Sequence, residues 1–316
     1  KASDEKTGRN LSTIYRPDYP ALQSINNHLY WVFQLTFTGW RVSNQVDRIV
    51  PGYIVVDAED PNAEPQVHLG YKMKYTLGSF FANNVKRHIY KNGYSDWLVD
   101  DLSIEIRDDG KPFYSASLNK PAIRFKGSVP QSMILVDAET GKIQEYPLNE
   151  VPEWVDRVYS SHVVNDFLSW WGHWSKAPWK WSPFETAADR MKPAGKPHLV
   201  YTKSGHPAWQ VLMTSWNSDT SVIAIVLFEG RSNTARVYPV SGIAIEESVL
   251  NSFITAKKNL KNFRPVHPSI HRIYGELTWV VSYISAGGGV DGAASFQAVG
   301  LISAFNVVLS ALYGSF

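Results

Sequence analysis

Met133-Ile-Leu-Val-Asp-Ala-Glu-Thr-Gly-Lys-Ile-Gln-Glu-Tyr146 constrains this chain more than any other stretch. Met133 to Val136 is a continuous apolar run, which suits a strand buried on both faces. Asp137 to Gly141 is turn chemistry: an Asp side chain bonds the backbone two residues on, and Gly141 adopts positive φ at no steric cost. Lys142 to Tyr146 then alternates polar and apolar, as a half-buried return strand does. The spacing predicts a β-hairpin, followed by a helix starting near Pro152.

Related patterns recur. Pro51-Gly-Tyr-Ile-Val-Val-Asp-Ala-Glu-Asp60 also places Val-Asp-Ala-Glu after an apolar run. Gly110-Lys-Pro-Phe-Tyr and Gly205-His-Pro-Ala-Trp share a Gly-x-Pro-x-aromatic opening. The second of these precedes Val222 to Glu229, and Gly275 to Tyr283 precedes Phe296 to Ser303. The chain thus reads as four diverged, irregularly spaced copies of a strand-turn-strand unit, packed around shared cores rather than stacked as a uniform solenoid. The third copy departs by carrying Phe228-Glu-Gly-Arg-Ser where the turn would hold Asp and Thr-Gly. Helices are expected at Glu150 to Trp174 and Ile245 to Asn259, with a weaker one at Leu77 to Tyr90.

Composition sets the remaining limits. A hydrophobic fraction of 44% against 19% charged residues describes a folded chain. A net charge of +2 supplies no field to recruit nucleic acid. With no cysteine there is no disulfide, thiolate metal site or cysteine nucleophile. The chain begins at Lys1 without a signal-like stretch, as a processed protein or part of a longer one would.

The run Asp-Ala-Glu-Thr-Gly between two strands, with a helix to follow, resembles the PepSY type of small module. Tyr146 to Tyr159, Thr214 to Ser221 and Val237 to Glu247 are similar to uncharacterised membrane-anchored bacterial and phage-encoded proteins. The resemblance implies an α+β fold: repeated β-hairpin/helix modules with antiparallel or mixed sheets, in two lobes. The expected layout is an N-terminal arm at 1–19, a first lobe at 20–174, a Pro/Trp-rich linker at 175–197 and a second lobe at 198–316. It also implies an extracytoplasmic, envelope or virion location, with a membrane-anchored neighbour.

No motif for chemistry emerges. Asp137, Glu139 and Gly141 open like a calcium loop, but Leu148 stands where a bidentate Glu belongs. His267 and His271 are four apart, yet Pro265 and Pro268 oppose the helix that would align them on a metal. His162 and His173 fall three helical turns apart. There is no Gly-x-Ser-x-Gly elbow, and Ala286 to Gly292 lacks the Lys-Ser/Thr ending of a phosphate loop. Sequence does not say which of the 29 acidic residues converge. The expectation is no metal, no cofactor and no catalysis.

One cluster stands out: Trp170, Trp171, Trp174, Trp179 and Trp181 bring five of twelve tryptophans into a dozen residues. It reads either as filling between sheet modules or as a platform for a protein partner, a glycan or a membrane interface. The function classes that follow are a non-catalytic structural or scaffolding protein acting as a homo-oligomer or with a protein partner, a regulator of an envelope protease, and a Trp-mediated glycan-binding module or hydrolase. The uncharged C-terminus from Gly292 is long enough to span a bilayer but is interrupted by polar residues; it is expected to form two strands, Val299 to Phe305 and Val307 to Tyr313.

Overall fold

The computed structural model describes residues 9–60, 63–122, 127–174, 190–202, 205–217, 221–250, 263–285, 296–305 and 309–314. Its strands form four antiparallel sheets, each running in chain order. The first contains β1 (Tyr15–Ile25), β2 (His28–Phe37), β3 (Val50–Asp57) and β4 (Gln66–Met73). The second contains β5 (Leu98–Ile106), β6 (Pro112–Ala122), β7 (Gly127–Asp137) and β8 (Ile143–Pro147). The third is built from β9 (Met191–Pro193), β10 (His198–Tyr201), β11 (Pro207–Ser215), β12 (Ser221–Glu229) and β13 (Ala235–Ala244), with β9 paired to β11. The fourth contains β14 (Phe263–Ile273), β15 (Glu276–Ser285), β16 (Phe296–Ser303) and β17 (Leu309–Gly314).

The α+β expectation is therefore corrected: the described chain is mostly β, and its hairpins are not each flanked by a helix. Of the helix expected over 150–174, only Ser161–Trp174 forms. Residues 150–160 pack as an irregular segment, with Val151, Val155, Val158 and Tyr159 buried. Their near-helical spacing reflects burial, not a helical backbone. Over Leu77 to Tyr90 a 3-10 turn, Phe81–Asn83, precedes a short α-helix, Val85–Ile89, capped by Asn84 accepting from the Arg87 amide. Residues 246–250 are helical, and the rest of the expected second helix lies outside the described residues.

Burial follows position in the sheet. The inner strands β7 and β11 are buried along most of their length, around the apolar runs Met133 to Val136 and Val211 to Met213. The fourth strands, β4 and β13, are largely exposed. Asp57, Asp137 and Glu229 each close the third strand in the path of its sheet. A second shared device lies in the first strands, where two residues oppose one between Asp18 and Ala21, Asp100 and Ser103, and Val266 and Ser269. The C-terminal residues 296–303 and 309–314 are paired strands, and no described helix is long and apolar enough to cross a membrane.

The chain divides into two compact units. The first comprises Lys1–Val163 with Tyr201–Pro207 and Gly230–Ser232. Its core joins both of its sheets through Val32, Tyr53, Ile54, Ile104, Tyr114 and Ile134. The second unit comprises Val164–Val200, Ala208–Glu229 and Asn233–Phe316, with a core including Leu212, Ile225, Trp279 and Ile302.

A carboxylate-lined cleft in the first unit

Residues of the first unit enclose a cleft of about 670 Å3 lined by Ser24, Asn26, Asn27, Asp108, Glu153, Trp154, Asp156, Gly205, His206, Pro207 and Arg231. Most of the polar side chains come from three segments, joined by Gly205, His206 and Pro207 and by Arg231. Asn26 and Asn27 form the two-residue turn between β1 and β2, where both take positive φ (52° and 62°), a conformation Asn tolerates better than most residues. Asp108 belongs to the loop from β5 to β6 and is tied to that turn: its Oδ1 accepts from the Asn26 amide at 3.3 Å, and its carbonyl accepts from Asn26 Nδ2 at 3.3 Å.

The third segment, residues 151–157, carries Glu153, Trp154 and Asp156. It has no regular structure, so its polar backbone groups need other partners. Arg231 supplies many of them. Its Nη1 donates to the carbonyls of Pro152, Glu153 and Val155, and its Nη2 to that of Val151 at 2.9 Å. The Gly230 carbonyl accepts from the Val158 and Tyr159 amides at 2.8 and 3.0 Å. Ser117 Oγ donates to the Val158 carbonyl at 2.8 Å. The departure noted in the third repeat, Gly230-Arg231 in place of a turn acid, thus fixes the segment that carries the cleft's acidic groups. Burial lowers the Arg231 pKa, opposed by the charges of Asp156, Glu153 and Glu105.

Within this frame the side chains differ in environment. Glu153 is exposed, and Trp154 is half-buried with its ring 5.3 Å from that of Phe113. Asp156 is 6% exposed; its Oδ2 accepts from the Ser24 amide at 2.5 Å and from Tyr201 Oη at 2.9 Å. Burial raises the Asp156 pKa, while those two hydrogen bonds and the charges of Arg157 and Arg231 work against the rise. Burial, and then Asp156 itself, push the Tyr201 hydroxyl upward, so it remains a donor. Both bonds fall on Oδ2, so Oδ1 takes neither of them.

Sequence alone assigns none of these residues to a site. The signals that exist are local: Asn-Asn between two strand patterns marks a hairpin, and Glu105 interrupts an otherwise apolar strand end, Ile104-Glu-Ile106. The convergence of Asp156 with Tyr201 and Arg231 spans 45 and 75 residues and leaves no pattern. Of the Trp cluster, Trp170 and Trp171 do not line the cleft. Trp170 and Trp171 sit on the helix Ser161–Trp174 in the second unit, Trp170 half-buried with its ring 6.1 Å from Phe167 and Trp171 37% exposed. Trp174 ends that helix, and Trp179 and Trp181 lie outside the described residues. His162 and His173 fall at opposite ends of the same helix, and no group of three or more potential metal ligands occurs among the described residues.

No family model and no curated protein matches the chain. Among solved structures it is similar to Zg3597, a family 117 glycoside hydrolase from the marine bacterium Zobellia galactanivorans, at 11% identity and a TM-score of 0.24 over 98% of this chain and 73% of that one. It is similar to a β-fructofuranosidase from Schwanniomyces occidentalis at 8% identity and a TM-score of 0.22, covering 95% of this chain and 47% of that one. The C-terminal domain of YpeB from Bacillus megaterium, a PepSY-containing protein, follows at 7% identity and a TM-score of 0.16, over 75% of this chain and 98% of that one. The PepSY resemblance extends that far and not to the hairpin/helix architecture. The expectation of a chain without catalysis is also corrected: the cleft gathers acidic groups that the sequence left unassembled. Scores this low transfer no activity, and the cleft's own chemistry carries the reading that follows.

Proposed function

We propose that the cleft of the first unit binds a saccharide and cleaves a glycosidic bond hydrolytically. The observation that carries this reading is the segment 151–157, which presents an exposed carboxyl, a half-buried indole and a buried carboxyl within four residues. An indole face suits the C–H face of a sugar ring. Amide, carboxylate and imidazole groups at Asn26, Asn27, Asp108 and His206 suit its hydroxyls, and a cleft of about 670 Å3 is of ligand size.

Glycoside hydrolysis requires two carboxyl groups in different protonation states. Asp156, with its pKa raised by burial, is the proton donor in this reading. Its Oδ1 protonates the departing glycosidic oxygen as the bond to the anomeric carbon breaks. Glu153, facing solvent, is the carboxylate that takes a proton from the attacking water, whose oxygen forms the new bond. The net change is addition of one water across the glycosidic bond, with no redox partner.

The test is a screen of neutral, acidic and amino oligosaccharides for reducing-end release, repeated with Asp156→Asn, Glu153→Gln and Trp154→Ala. The expected result is cleavage of at least one class, lost by about 100-fold or more in either carboxyl variant, and weaker binding in Trp154→Ala. Cleavage that survives both carboxyl substitutions, or binding to no saccharide, overturns the reading.

A further inference from the structure

Behind the cleft segment lies a group the proposed chemistry does not use. Glu105, in β5, is 2% exposed, and its Oε2 has no hydrogen-bond partner among the described residues. Its Oε1 has Ser115 Oγ, on β6, at 3.4 Å. The charged groups around it are Asp101 on its own strand, Asp156 and Arg157 on the cleft segment, and Arg231; the Tyr201 hydroxyl also interacts with it. Arg157 is shared among the acids. Its Nη1 lies 3.8 Å from Asp101 Oδ2, its Nη2 donates to Ser103 Oγ at 3.3 Å, and its side chain is 13% exposed.

Charge and solvation then decide the state of Glu105. An anion buried with an unpartnered oxygen costs several kcal/mol, whereas a neutral acid costs far less. Asp156 keeps two good donors whether or not it carries the proton the proposed reaction uses, and Glu105 has none of that quality, so Glu105 is the acid that burial holds neutral. We propose that Glu105 is a positioning residue for the cleft: held as a neutral acid, it leaves Arg157 to anchor the 151–157 segment against β5, and its ionisation releases that segment. With Glu105 neutral, the Arg157 guanidinium stays with Asp101 and Ser103 on β5, and the segment bearing Asp156 stays down. With Glu105 charged, a new anion competes with Asp101 for that guanidinium in a space almost closed to water.

The direction of the pH effect follows. Burial first, then the charges of Asp156 and Asp101, push the Glu105 pKa up to about 8 against the pull of Arg157. A group whose pKa is higher folded than unfolded gives its full stability below the unfolded value. That stability is lost as pH rises from about 4.5 through about 8. The segment itself loosens only when Glu105 ionises in the folded protein, as pH passes about 8.

Glu105→Gln, which keeps the neutral shape and cannot ionise, tests this without any saccharide, so its outcome is independent of the glycan reading. Two measurements on the full chain apply: melting temperature against pH, and amide hydrogen exchange of residues 151–160 corrected for intrinsic rates. Wild type should lose melting temperature relative to the variant between about pH 5 and pH 8 and run parallel above. Its 151–160 amides should lose about tenfold or more in protection above pH 8, with the variant unchanged. Parallel melting profiles, equal exchange in both proteins, or a Gln variant that does not fold would each overturn the proposal.

Discussion

The two sheets of the first unit end their third strands in the same Val-Asp-Ala-Glu corner but secure it with different cations. At the first corner, Asp57 Oδ1 accepts from the Glu59 and Asp60 amides at 2.7 and 3.2 Å. At the second, Asp137 Oδ1 accepts from the Glu139 and Thr140 amides at 2.9 and 3.0 Å. The turn is thus specified twice by one side chain bonding the backbone ahead of it. The second carboxylate oxygen meets His28 Nε2 at 2.8 Å in one sheet and Lys111 Nζ at 2.6 Å in the other. Asp57 keeps 26% of its side chain exposed and Asp137 only 12%, so the lysine pair works in a less screened setting. The corners share a backbone solution and differ in how much rests on it.

The second corner should be the fragile one. Gly141, which closes it, has φ of 74°, and a Cβ there would stand 2.4 Å from Tyr75 Cε2. The ring has little room to yield, because it lies 4.1 Å from the His88 ring, whose Nε2 is 2.8 Å from the Gly141 carbonyl oxygen. Gly141→Ala should cost about 3 kcal/mol from backbone strain and overpacking together, measured by denaturant unfolding. Asp137→Ala should follow at about 2 kcal/mol, through loss of a charged hydrogen bond and two turn bonds. Asp57→Ala should lower the melting temperature less than Asp137→Ala does. Equal losses would mean that the shared turn bonds, not burial or the cation, set the strength of both corners.

How far the sequence reveals such features depends on their range. The turn aspartates were legible because a corner of this kind is encoded within five residues, as were the apolar runs of β3, β7 and β12. The segment 150–160 was misread because Trp154, Val155 and Val158 are spaced as on a helix. Its real organiser, Arg231, lies about 75 residues away and looked like an irregularity in the third repeat. The cleft was illegible for the same reason. Asp108 means little until the Asn26 turn is laid beside it, and Asp156 has no character until Tyr201 and Ser24 donate to it. The tryptophan cluster was conspicuous because it is contiguous, and contiguity in sequence did not mark the cleft.

The smallest expected effect is the one that sharpens the comparison of corners most directly. His28 places its two ring nitrogens 2.8 Å from Asp57 Oδ2 and 3.2 Å from Glu59 Oε2, so its protonated form donates to two carboxylates. The Asp57 hydrogen bond raises its pKa; desolvation opposes that rise, and the charges of Asp57 and Glu59 add to it. Asp57 is lowered in turn, first by the bond from His28 and then by the Glu59 amide. The histidine's contribution is complete below its unfolded value and fades as pH rises through the raised folded one; the aspartate's is present above its unfolded value and fades as pH falls through the lowered one. The pair therefore supports the first corner most in the mildly acidic range. Measured in the Glu105→Gln background, which removes the larger fall, His28→Gln should abolish a shallow remaining fall in melting temperature above about pH 6 while leaving the effect of Asp137→Ala unchanged, since distant sites add. If that fall persists in His28→Gln, the ion pair at the first corner contributes nothing measurable, and the two corners differ only in burial.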